Sequence, residues 1–252
     1  MTPHVNVTED WHTHTTQSDG SGSLSETVAA AKDKQLTRLS ITDHVRASTT
    51  WVPEYVTAVN AAAATEDIWI RCGVETKILN SRGLLDVPED VWALGGERLQ
   101  INVADHQYPS PDGPLKPEDV KQALSAGLLT TEQVIQNLVV ATASAVSRVD
   151  NAVIVHLFSL LPKMGLDETA VHEHHLSLLA DACQATGARV EVNEKWQTPS
   201  SRTLIALAAR GVLLVAGSDA HSPGDVGRYD YVNQFSHRAV PNANIAREPV
   251  VT

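Results

Sequence analysis

Short runs rich in Val, Ile and Leu alternate along the chain with segments whose apolar residues recur at helical spacing. The runs predict strands over Val5–His14, Arg38–His44, Ile68–Ile78, Arg98–His106, Ala152–Leu157, Arg189–Lys195 and Val212–Asp219. Their near-continuous apolar character suits strands covered on both faces of a parallel sheet. The helical segments are Leu24–Gln35, Pro53–Thr65, Lys116–Ala126, Thr131–Val146, Asp167–Thr186 and Pro199–Arg210. Ser23 and Glu26 have capping-box spacing ahead of the first, and Pro53 opens the second from a first-turn position. Gly187 and Gly211 follow the last two, where a left-handed C-terminal residue is expected. Seven strand–helix alternations predict a barrel-like parallel α/β fold. No repeat, low-complexity tract or long linker interrupts it, so a single domain over residues 1–252 is expected, with a polar, unassigned tail after Tyr229.

Composition narrows the setting. The chain has 252 residues, 42% of them hydrophobic, enough for a sizeable core and unlike a disordered polymer. Two separated cysteines, Cys72 and Cys183, argue against a disulfide framework and for a reducing compartment. The first ten residues lack a secretion-signal pattern, and no run of about 18 apolar residues is present, so the expected location is the cytoplasm, away from membranes. A formal net charge of −11 makes nucleic acid a poor partner. Three bound divalent cations would return about six positive charges to one spot and attract an anion.

The chemistry lies at the strand ends, where barrels of this kind place it. The first strand closes on Asp10-Trp11-His12-Thr13-His14, the second on Thr42-Asp43-His44, and the third carries Gly73-Val74-Glu75. The fourth ends Asp105-His106, the fifth Val155-His156, the sixth holds Glu191-Val192-Asn193, and the seventh ends Gly217-Ser218-Asp219-Ala220-His221. Six of the eleven histidines fall in these positions. The spacing of His12 and His14 puts both imidazoles on one face of a strand. Each motif alone is weak, and a lone His106 or His156 would ordinarily be a hydrogen-bonded core histidine. Their recurrence at seven strand ends predicts a metal cluster. Imidazole and carboxylate without thiolate suits Zn²⁺, Mn²⁺ or Fe²⁺. His172, His174 and His175, by contrast, read as an exposed helix face, and His4 and His237 carry no motif.

With Ser18-Asp19-Gly20 and the closing Ser222-Pro223 added, this series resembles the polymerase and histidinol phosphatase (PHP) family over roughly residues 5 to 228. The resemblance implies a distorted (β/α)7 barrel, similar to a TIM barrel, with a centre of two or three divalent cations. It implies that His12, His14, Glu75 and Asp219 hold a first metal, that Glu75 bridges to a second held by His106 and His156, and that Asp19, His44 and His221 hold a third.

The reaction so implied is hydrolysis of a small phosphate monoester by a metal-bridging hydroxide, with Asp219 or His221 assisting proton transfer. The expected partner is a small phosphorylated metabolite. Arg46, two residues past His44, is the first candidate for a phosphate contact, followed by Arg228, Lys195 and Lys77. Trp196 lies where it can line the leaving-group pocket. A phosphodiesterase or cyclic-phosphate hydrolase using the same metals is the alternative. The role of a DNA-polymerase module would require large extra domains that this chain lacks, and its acidity argues against DNA, while a related-barrel amidohydrolase would carry a bridging Lys in place of Glu75.

Overall fold

The structure, a computed structural model, describes residues 4–94 and 99–236. Seven parallel strands form one sheet: β1 (Glu9–Thr13), β2 (Arg38–His44), β3 (Trp69–Lys77), β4 (Gln100–Ala104), β7 (Ala152–Ile154), β8 (Arg189–Asn193) and β9 (Leu213–Gly217), adjacent in that order. A two-stranded antiparallel hairpin, β5 (Tyr108–Ser110) with β6 (Gly113–Leu115), follows β4. Seven helices are present among the described residues: α1 (Leu24–Asp33), α2 (Val52–Thr65), α3 (Glu89–Leu94), α4 (Pro117–Ser125), α5 (Thr131–Val146), α6 (Glu173–Thr186) and α7 (Ser201–Ala209). The sheet curls until its first and last strands meet at their C-terminal ends. Thr13 bridges Ala220, Asp219 N–H donates to His12 O at 2.9 Å, and His14 N–H donates to Ala220 O at 2.9 Å. This is a nearly closed, distorted (β/α)7 barrel.

Most of the apolar core lies in one cluster that includes Leu39, Ile41, Val74, Ile101, Ile154 and Val190 from the strands and Val28, Val59, Leu138, Leu176 and Leu207 from the helices. Ser23 with Glu26 forms the reciprocal capping box its spacing predicts, and Thr130 with Gln133 forms a second.

Several boundaries differ from expectation for local reasons. The first strand is short because Asn6 Oδ1 accepts from Thr8 N–H, turning the chain, while Val5 pairs instead with Ser236. The fifth stops at Ile154 because His156 takes a left-handed φ of 33°. The expected start of the fourth at Arg98 lies outside the described residues. The helix expected from Asp167 begins at Glu173. Asp167 caps a separate 3-10 turn, Glu168–Ala170, through Thr169 N–H. The segment after Tyr229 is not merely polar: Val232 and Phe235 are buried against Val5, Val192, Leu204 and Ala216. His237 and the rest of the tail lie outside the described residues.

One buried carboxylate ties the seam together. Asp10 accepts from Ser218 Oγ–H, from Ser218 N–H at 3.0 Å and from Gly227 N–H at 2.9 Å, with a longer contact from His12 N–H at 3.3 Å. Asp10→Ala strands these donors away from water, so a stability loss of roughly 2–4 kcal/mol is expected. A denaturant midpoint that falls at unchanged m-value would show it, and an unchanged midpoint would contradict it.

Candidate functional site

All six strand-end histidines and the three expected carboxylates meet at the C-terminal mouth of the barrel. Glu75, near the end of β3, stands beside His44 in the β2–β3 register and is buried at the centre. Its Oε1 lies 3.0 Å from His106 Nε2 and 3.0 Å from His156 Nε2. Its Oε2 lies 2.9 Å from His12 Nε2, 3.2 Å from His14 Nε2 and 3.3 Å from His44 Nδ1. Asp219 Oδ1 approaches His14 Nε2 at 3.6 Å and His221 Nδ1 at 3.3 Å. Asp19 Oδ2 lies 3.5 Å from His44 Nε2 and 3.4 Å from His221 Nε2. Three sets of potential ligand atoms lie mutually within 4.8 Å: His12, His14 and Asp219; His44, Glu75 and His106; and His14, Asp19, His44 and His221. The first set is the expected one without Glu75, the second has His44 where His156 was expected, and the third adds His14 to the expected trio.

Four buried carboxylates that the sequence placed in motifs without a role position this array. Glu191 Oε1 accepts from His12 Nδ1–H at 2.8 Å, and its Oε2 accepts from His156 N–H at 2.7 Å and from Asn193 Nδ2 at 3.0 Å. Asp105 Oδ1 accepts from His156 Nδ1–H at 3.2 Å. Both histidines are thereby turned so that Nε2 faces Glu75. Asp43 accepts from the backbone and hydroxyl groups of Thr15 and Ser18, shaping the loop that presents Asp19. Asp10 anchors the β1–β9 seam beside His12. The available signal was position, since Asp43 and Asp105 each immediately precede a strand-end histidine.

Two glycines make room. A Cβ on Gly217 would run into the Glu191 carboxylate, and one on Gly20 would lie 2.6 Å from His14 O. Asp219, like His156, is held in a left-handed backbone conformation, with φ 54°. Such non-glycine strain persists where surrounding structure enforces it and concentrates at functional sites.

The electrostatics show a site short of positive charge. Burial alone would depress the His12 imidazole, but Glu191, Glu75 and Asp219 raise it well above its ordinary value. His156 follows the same logic: burial opposes, while Asp105 and Glu75 push it up to about 10. Burial would raise Glu75, yet His12 and the bonds from His106, His12 and His14 hold it well below the carboxylate range. Burial takes His44 down to about 4, helped by His14 and His106 against Glu75 and Asp19, so that ring is neutral and ready to ligate.

The residues present fit divalent cations. His12 Nε2 and His14 Nε2 face each other at 3.0 Å beside Glu75 Oε2, an arrangement that a shared proton or cation must bridge. His14 Nδ1 is buried without a hydrogen-bond partner.

A cavity of about 740 Å³ opens over this array, lined by Arg46, Lys77, Lys195 and Trp196 among others. Lys195 Nζ reaches Asp219 Oδ1 at 3.3 Å and His221 Nδ1 at 3.0 Å. Lys77 Nζ is engaged with Asp86 at 3.4 Å. Arg228 lines an adjoining hollow with Glu194, Asp225 and Asp230, sharing with the first only Lys195, Asp219 and His221.

Fold and site define a class: a nearly closed α/β barrel with side chains that could hold metal ions gathered at its C-terminal mouth. The sequence profile of the PHP domain matches residues 10–234, and the chain belongs to that family. Among solved structures, histidinol phosphate phosphatase from Lactococcus lactis, complexed with zinc, L-histidinol and phosphate, aligns with a TM-score of 0.64 at 18% identity over 89% of this chain and 88% of that one. A Listeria monocytogenes protein assigned as a histidinol phosphatase aligns with a TM-score of 0.61 at 16% identity over 87% and 97%. At these identities the likeness speaks for the fold. A search of curated proteins gives no significant match. No helix among the described residues is long and apolar enough to cross a membrane.

Proposed function

We propose that this chain is a metal-dependent phosphoesterase that hydrolyses a small phosphate monoester. The observation that carries the proposal is Glu75, whose two oxygens face separate imidazole pairs, His106 with His156 and His12 with His14, as a carboxylate shared between cations must. His12, His14, Glu75 and Asp219 would hold one cation, Glu75, His106 and His156 a second, and Asp19, His44 and His221 a third. Divalent cations held there supply charge neutralisation for a phosphoryl group and acidify water at neutral pH. Zinc, manganese and iron all suit this donor set.

The chain's own residues do the rest. The Asp219 carboxyl is held below its ordinary value, its burial outweighed chiefly by His12, and would act as a proton acceptor. His221, whose Nδ1 lies within 3.3 Å of it, would assist that transfer. Lys195 and Arg46 bring positive charge to the cavity wall, and Trp196 offers an apolar surface to the leaving group.

The family and the occupants of the Lactococcus protein's site favour histidinol phosphate as one substrate to test. Metal analysis of purified protein followed by a phosphate-release screen across sugar phosphates, nucleotides and histidinol phosphate tests the reading. Bound metal and release from p-nitrophenyl phosphate well above that from bis(p-nitrophenyl) phosphate are expected. Preference for the diester favours the alternative, and inactivity on every ester with zinc, manganese and iron supplied ends the proposal.

Arg46→Ala is expected to raise KM about tenfold with a smaller change in kcat, the loss of one charge-assisted contact. Steady-state kinetics on the best monoester would show it. An unchanged KM would place this side chain in solvent.

A further inference from the structure

We propose a second metal site, separate from the barrel mouth, in which Glu132 on α5 and His174 and His175 on α6 bind a zinc ion, with His172 as a fourth ligand. The sequence pattern reads these histidines as an exposed helix face, and for His175 the structure says otherwise: its side chain is completely buried. Its Nε2 lies 3.2 Å from Glu132 Oε1 but without hydrogen-bond geometry, leaving a buried nitrogen unpartnered. His174 Nε2 lies 3.1 Å from the same oxygen, and His172 Nε2 lies 4.0 Å from Glu132 Oε2.

These separations match a coordination shell. Zinc binds imidazole nitrogen and carboxylate oxygen at about 2.0–2.2 Å, so neighbouring ligand atoms in a tetrahedron stand about 3.3 Å apart. The ligand atoms of Glu132, His174 and His175 lie mutually within 4.8 Å. Imidazoles with one carboxylate and no thiolate suit zinc among first-row ions.

Both helix N-termini that carry the ligands are well defined. Glu132 sits in the first turn of a helix fixed by the Thr130–Gln133 capping box. The His175 ring is locked by His172 N–H, which donates to Nδ1 at 3.0 Å and closes the N-terminus of α6. In a neutral ring whose Nδ1 accepts, the proton is on Nε2. An ion on Nε2 therefore needs that proton moved to Nδ1, which breaks the bond from His172 N–H; the exposed His172 ring, 4.0 Å from Glu132, completes the shell. Loading is thus coupled to the first turn of α6, and none of the ligands belongs to the barrel-mouth array.

The test is zinc stoichiometry of the full-length protein. Wild type, His174→Ala and the shape-preserving Glu132→Gln are stripped with chelator, reloaded with zinc, dialysed and measured by elemental analysis. Each variant is expected to hold one zinc fewer than wild type while keeping phosphate release within about twofold at saturating zinc. Zinc is also expected to raise the melting temperature of wild type more than that of either variant. Equal zinc content in the wild type and a folded Glu132→Gln variant would overturn the site. Because the count is read separately from turnover, its failure is distinguishable from failure of the phosphoesterase reading.

Discussion

Glutamine in place of Glu75 is expected to slow phosphate release by about 10³-fold or more, an increase of about 4 kcal/mol in the barrier, with the fold retained. The side chain is buried at the centre of the mouth, and each oxygen faces two or more imidazole nitrogens. An amide keeps the shape but has one acceptor atom. Its NH₂ must point at one imidazole pair, where it neither ligates nor neutralises, so two cation sites lose their shared anion together. The folded apo-protein should tolerate this, because a buried charge is removed without opening a cavity. The measurement pairs kcat/KM on the best monoester with metal content and a thermal melt. A folded variant with wild-type turnover and full metal would remove Glu75 from the centre.

The barrel was legible because its strands are apolar runs separated by amphipathic helices, and six histidines mark where the strands stop. β2 spans Arg38–His44 and α5 spans Thr131–Val146, as their patterns predict. What stayed hidden depends on contacts between distant residues. The hairpin Tyr108–Ser110 with Gly113–Leu115 and the six-residue helix Glu89–Leu94 are too short to show a period. His156 leaves its strand early because a carboxylate thirty-five residues away, Glu191, captures its N–H. The same limit applies at the site. Ligand candidates can be seen one motif at a time, but that Glu191 orients His12 and Asp105 orients His156 is a fact of three dimensions. His175 shows the reverse error: a polar helix pattern concealed a ring that packing takes completely out of solvent.

Glu191→Gln is expected to weaken metal binding and activity by about 100-fold, with much of the turnover recovered at high metal concentration. Both Glu191 oxygens accept: Oε1 from His12 Nδ1–H, and Oε2 from His156 N–H and Asn193 Nδ2. Glutamine can satisfy only one side. If its carbonyl stays toward His156, the NH₂ faces His12 Nδ1 and drives the ring proton onto Nε2, the nitrogen that faces Glu75. If it turns over, two donors meet at His156 N–H and Asn193, a buried clash costing about 1–3 kcal/mol. Either way the histidines lose the tautomer or orientation that leaves Nε2 free to ligate. Gly217→Ala should reproduce this defect without touching any ionisable group, because its Cβ would occupy the space of the Glu191 carboxylate. A zinc titration compares all three proteins. Wild-type affinity in Glu191→Gln would mean that His12 is oriented by its other neighbours and that Glu191 serves only to fill the barrel.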